Sequence, residues 1–127
     1  MMGAIFIIGD AGWRWRMVML LGADIGTAVC VRIVKIIFRR KRPDGDWGKF
    51  YRRTDPHSFP SGHAGRGGAL GMMSVVLGPW WFGAVIMLWG ILVTLSRVTL
   101  SVHYASDVSA GFALGLFVSI FIAVVVL

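Results

Sequence analysis

The chain has 127 residues, 57% of them hydrophobic, and a mean hydropathy of +0.74, far above the range of soluble domains of this size. Its formal charge is +7, with six aspartates, no glutamate, and eight of the 13 Lys and Arg gathered between Arg39 and Arg66. These figures exclude a soluble domain, and the single cysteine, Cys30, excludes an intramolecular disulfide framework.

What remains is an all-α integral membrane bundle with one basic patch. At a membrane face such a patch suits anionic lipid headgroups or a phosphorylated substrate better than nucleic acid, and no soluble recognition module accompanies it. It is equally the pattern of a cytoplasmic loop obeying the positive-inside rule.

The opening stretch MMGAIFIIGDAG has no basic leader, and its apolar core is too short for a signal peptide or a span. Residues 1–16 are therefore expected to be an amino-terminal arm or the remnant of a preceding helix, and 17–127 the transmembrane domain. Trp13 and Trp15 interleave with Arg14 and Arg16 as interfacial anchors do.

A first helix is predicted from about Met17 to Phe38 or slightly beyond, with Pro43 as its stop signal. Lys35 and Arg42, seven residues apart, would then share a helix face with roughly 10 Å of rise between them, flanked by Arg32 and Arg39. Arg39, Arg40 and Lys41 are expected to snorkel to headgroups. Lys35 is deeper and calls for an anion. Asp24, well inside the same helix, has no partner legible in the sequence; a helix contact and a functional role both fit.

A polar loop, RPDGDWGKFYRRTDPHSFPSG, follows, in which Trp47, Phe50 and Tyr51 would line the site side and His57 would be solvated. The second helix is predicted from Gly62 or His63 to Gly78. Before it, SFPSGHAG sets Ser61 and Gly62 where free N–H groups and the helix dipole favour an anion; Ser-Gly at this place is also ordinary capping. His63 stands at the same helix start. Arg66, a turn further on, could join an anion clamp or meet a lipid headgroup.

After Trp80 and Trp81 at the opposite interface, the third helix is predicted from about Phe82 to Leu100, with Trp89 as mid-span packing, and the fourth from about Ala105 to Leu127. Four crossings bring Lys35 to Arg42, Pro60 to His63 and Arg97 to Asp107 to one membrane face. His103 and Asp107, at i and i+4, would stack on a helix face. Such a pair can be structural, or the carboxylate can fix the tautomer and free the other ring nitrogen. Arg97 adds a cation for the same anion. Gly67 with Gly71 and Gly111 with Gly115 form small-residue faces for packing within the chain or between chains of a homo-oligomer. No metal site is indicated, since one cysteine excludes a cysteine cage and the aspartates are scattered.

KIIFRRKRP at Lys35 to Pro43, PSGH at Pro60 to His63 and SRVTLSVHYASD at Ser96 to Asp107 together resemble the type 2 phosphatidic acid phosphatase superfamily. Its signature is Lys-x6-Arg-Pro, Pro-Ser-Gly-His and Ser-Arg-x5-His-x3-Asp, and the resemblance covers about Met17 to Leu127. It implies a cofactor-free lipid phosphatase working through a phosphohistidine. On that pattern His103 is the nucleophile, Asp107 its orienting acid and His63 the acid and base. Lys35, Arg42, Ser61, Gly62 and Arg97 would hold the phosphate. The implied substrate is a phosphate or diphosphate of a lipid, in a bacterial or archaeal cell membrane.

Membrane members of the family have six spans, and four are clear here, so a minimal or truncated member and a partner chain supplying the missing surface are both expected readings. The basic patch argues for a cytoplasmic site, whereas many bacterial relatives act on the outer side; the face stays open. Vanadate-dependent haloperoxidases share the motif scaffold but are large and soluble. A non-catalytic binder of anionic lipids would need the cations and not His63, His103 and Asp107.

Overall fold

The computed structural model describes residues 11–44, 51 and 53–127. The expectations for Trp47 and Phe50 lie outside them. Four helices carry most of the described chain: α1 (Ala11–Phe38), α2 (Gly62–Leu77), α3 (Trp80–Thr99) and α4 (Ala105–Val126). Three of these, α1, α3 and α4, are long and apolar enough to cross a membrane. Their apolar side chains point outward in quantity, among them Ile25, Ile37, Val85 and Phe117, as expected where lipid and not water surrounds the bundle.

The first helix extends back beyond Met17 to Ala11, the first described residue, so Trp13 and Arg16 belong to it, the Arg16 guanidinium 5.2 Å above the Trp13 ring. Its far end falls at the expected Phe38, short of the continuation that would have put Arg42 on the same helix face as Lys35. Arg39 takes a left-handed φ of 48°, with its N–H bonded to the Lys35 carbonyl at 2.9 Å. The chain then doubles back as an extended segment, four residues before Pro43 could have ended it.

Helix α2 is the hub. At 16 residues it is about 24 Å long, short for a full span of ~30 Å, and it packs extensively on α3 and α4 and more lightly on α1. Five of its residues are glycines, a composition that forms helix poorly by itself but lets neighbouring backbones come close. A Cβ on Gly90 of α3 would stand 2.6 Å from the Gly67 carbonyl, and one on Gly115 of α4 would collide with the Gly65 carbonyl. The small-residue faces are thus used inside the chain.

Met19 and Ala23 of α1 pack on Met73 of α2, with Leu77 and Ile122 around them. This apolar end therefore joins the start of α1 to the ends of α2 and α4. The opposite end gathers the end of α1, the start of α2, the end of α3 and the start of α4, and all three polar motifs lie there.

Candidate active site

The fold-back after Phe38 decides the geometry. Lys35 remains on the last turn of α1, while Arg42 lies on the returning segment, so the two cations do not share a helix face as their spacing suggested. They meet instead at one atom. Lys35 Nζ is ion-paired with Asp55 Oδ2, and Arg42 Nη2 donates to the same oxygen at 3.0 Å. Both cationic side chains are almost wholly buried. Nothing in the sequence marked Asp55 for this place, because a loop carboxylate has no periodicity to reveal its partner.

Arg42 uses its whole fork. Nε donates to the Asp55 carbonyl at 2.8 Å, Nη1 to the Val102 carbonyl at 3.0 Å and also to His103 Nε2 at 3.0 Å. The guanidinium carbon lies 4.8 Å above the Tyr51 ring. Since arginine only donates, His103 Nε2 accepts, and the ring is neutral with its proton on Nδ1. Nδ1 faces Asp107 Oδ2 at 3.6 Å, beyond a good hydrogen bond.

His103 is buried. That burial, followed by the Arg42 charge, pushes its pKa from the ordinary 6.5 down to about 4, against the pull of the Asp107 carboxylate. The histidine also does not lie on a helix face, because α4 begins only at Ala105. It precedes the helix, and the turn at Tyr104 sets it over Asp107.

Asp107 is fully buried. One of its oxygens accepts the Tyr104 N–H at 2.7 Å, capping α4, and the other accepts from Arg40 Nη1 at 3.1 Å. Arg40 also donates to Ser106 Oγ at 2.6 Å and lies 4.5 Å above the Tyr104 ring. The expectation that Arg40 snorkels to headgroups is therefore wrong. The fold-back turns it toward the motif 67 residues away. Arg39 stays exposed, bonded to the Ile36 carbonyl of its own helix at 3.0 Å.

Ser61 is the N-cap of α2, its Oγ accepting the Ala64 N–H at 3.3 Å. Its own N–H reaches the Asp107 carbonyl at 2.9 Å, which ties the start of α2 to the start of α4. Gly62 is half-buried in the first turn, and His63 is exposed beside it, within electrostatic reach of Arg97, Arg66, Lys35 and Arg42. The Arg97 carbonyl accepts the His103 N–H at 3.3 Å, while its side chain is turned elsewhere. That side chain contacts Ser96 Oγ at 3.4 Å and lines a recess of about 170 Å³ with Tyr51, Leu100 and Val102.

The loop returns to α2 along the fold-back. Lys41 and His57 form an antiparallel bridge, and the Ser58 N–H donates to the Arg40 carbonyl at 2.8 Å. His57 is thus half-buried backbone structure and not a freely solvated loop residue. Asp24 finds its partner in Arg66, whose Nε and Nη2 reach its two oxygens at 2.8 and 2.7 Å, so Arg66 is bound to α1 and not to the anion clamp.

The PAP2 superfamily model matches residues 16–127. No solved structure matches the chain. A family match of that extent takes in α2, α3, α4, most of α1 and all three motifs, and the chain belongs to the PAP2 superfamily.

Proposed function

We propose that this PAP2 superfamily member is a metal-independent membrane phosphatase that removes phosphate from a lipid phosphate monoester or diphosphate through a phosphohistidine at His103. Membership supports phosphatase chemistry in general. The observation that carries the finer reading is the neutral His103 ring held between Arg42 at Nε2 and Asp107 on its Nδ1 side.

In the first step His103 Nε2 attacks phosphorus in line. The N–P bond forms, the P–O bond to the lipid breaks, and His63 gives its proton to the leaving oxygen. Asp107 faces the Nδ1 proton and offsets the positive charge that the ring gains. In the second step His63 takes a proton from water, whose oxygen attacks phosphorus, the N–P bond breaks, and inorganic phosphate leaves with His103 restored.

Lys35, Arg42 and Arg97, with Ser61 and the Gly62 N–H, hold the non-bridging oxygens and offset the charge that builds on them. An exposed His63 at the rim suits contact with a leaving group whose tail stays in the bilayer. The lipid class includes polyprenyl phosphates and diphosphates, phosphatidate and phosphatidylglycerophosphate. Phosphate release from these lipids by the detergent-solubilised protein, with chelator present, tests the reading: release should survive chelation and vanish in His103→Ala.

A further inference from the structure

Two buried cations at the mouth of a membrane site need an anion, and a loop carboxylate supplies it. Asp55 Oδ2 holds both Lys35 Nζ and Arg42 Nη2. The side chains of these cations are 7% and 1% exposed, whereas that of Asp55 is 36% exposed. The carboxylate is thus the outermost and most replaceable member of the trio. Its backbone carbonyl also takes the Arg42 Nε–H, which keeps the fork turned so that Nη1 covers the lone pair of His103 Nε2.

A phosphate group that uses Lys35 and Arg42 must therefore take the place of this carboxylate. We infer that Asp55 is a resident competitor for the phosphate site and sets both its affinity and its preference for dianions. The inference rests on the phosphate clamp proposed above. It deepens that reading by naming what the clamp refuses.

The physical basis is a difference of charge. A bilayer is crowded with phosphodiester headgroups, each bearing one negative phosphate charge, and an open pair of cations would fill with them. A single carboxylate, held at high effective concentration by its own chain, competes well with another monoanion. A phosphate monoester or terminal diphosphate carries nearly two charges at neutral pH, and its attraction to the same two cations is correspondingly larger. Specificity here comes from an element that disfavours the wrong ligand.

The surroundings allow the exchange. The segment that carries Asp55 is pinned beyond it by the Lys41–His57 bridge, and a cavity of about 220 Å³ lies alongside, between Arg32, Lys35, Asp55 and His57. The carboxylate can withdraw into that space without disturbing the helices.

The test is the affinity of inorganic phosphate for the full chain in detergent, by titration calorimetry, for wild type, Asp55→Asn and Asp55→Glu, with glycerophosphoglycerol as the diester probe. If the carboxylate occupies the cations most of the time, its removal should tighten phosphate binding about tenfold or more. The diester should gain at least as much, and Asp55→Glu should restore weak binding. Unchanged or weaker phosphate binding in Asp55→Asn would overturn the inference, since that is the behaviour of a purely structural partner of Lys35. If Asp55→Asn does not fold, a spin label at Thr54→Cys in a Cys30→Ser background keeps Asp55 in place: phosphate should mobilise the label, and an unchanged spectrum overturns the exchange. Failure of the catalytic reading looks different. Phosphate release that persists in His103→Ala removes the nucleophile and leaves the competition at Asp55 standing, whereas no phosphate binding by any variant removes both.

Discussion

Arg42 Nη1 donates to His103 Nε2 at 3.0 Å while two other atoms of the same guanidinium are held by Asp55. One side chain thus joins the proposed nucleophile to the proposed anion site. A lysine keeps the charge but not the fork. Arg42→Lys should lower phosphate release by about 100-fold, the scale of losing one oriented donor to the transition state. It also strands the buried Val102 carbonyl, so the melting temperature should fall as well. Turnover and thermal unfolding of the purified variant measure both.

A His103 pKa near 4 fixes the direction of two pH effects. Once the substrate's own phosphate ionisation, at about pH 6, is divided out, the acid limb of kcat/KM, set by the proposed nucleophile of the free enzyme, should lie near pH 4 and not near 6.5. Between those values the unfolded chain binds a proton at this residue that the folded chain does not, so this contribution to stability is full above 6.5 and is lost as pH falls toward 4. Rate profiles and unfolding at several pH values would reveal both, and an acid limb still at 6.5 after that division would contradict the buried neutral ring.

Asp107 has four partners in view: the Tyr104 N–H, Arg40, the Nδ1 side of His103 and, through its carbonyl, the Ser61 N–H. Asp107→Asn should reduce turnover by about 10²- to 10⁴-fold, because the amide can present an N–H where the ring needs an acceptor. Arg40→Gln should be milder, about tenfold, since its guanidinium is 43% exposed and solvent screens the pair. In a double-mutant cycle the two losses should fall short of additivity.

Packing around α2 gives a stability test remote from the chemistry. Gly115→Ala would drive a methyl into the Gly65 backbone, where nothing can yield, and should cost about 1–3 kcal/mol or prevent folding. Gly22 has open space around it, and Gly22→Ala should leave the melting temperature equal or higher, as alanine favours helix over glycine by about 1 kcal/mol. Thermal unfolding in one detergent compares the two.

The order of the motifs, the four helices and their convergence at one end were legible because apolar runs, glycine-proline breaks and spacing are local signals. The path after Phe38 was not. A left-handed Arg39 carries no glycine or asparagine to announce it, so the sequence suggested a continuing helix with Lys35 and Arg42 on one face. The same break explains why Arg40 looked like a headgroup anchor and why Asp55 was invisible: each acquires its partner only when the chain doubles back. The pairing of Asp24 with Arg66 was likewise hidden, being a contact between helices 42 residues apart in the chain.

The central claim is that phosphate passes through His103. The most direct measurement is a rapid quench in base, where phosphohistidine survives, of protein turning over a radiolabelled lipid phosphate, followed by peptide mapping. In the wild type, label should appear during turnover on the peptide containing His103, and in His103→Ala it should be absent. Label on another residue, or steady turnover with no phosphorylated protein at any time point, would contradict the account.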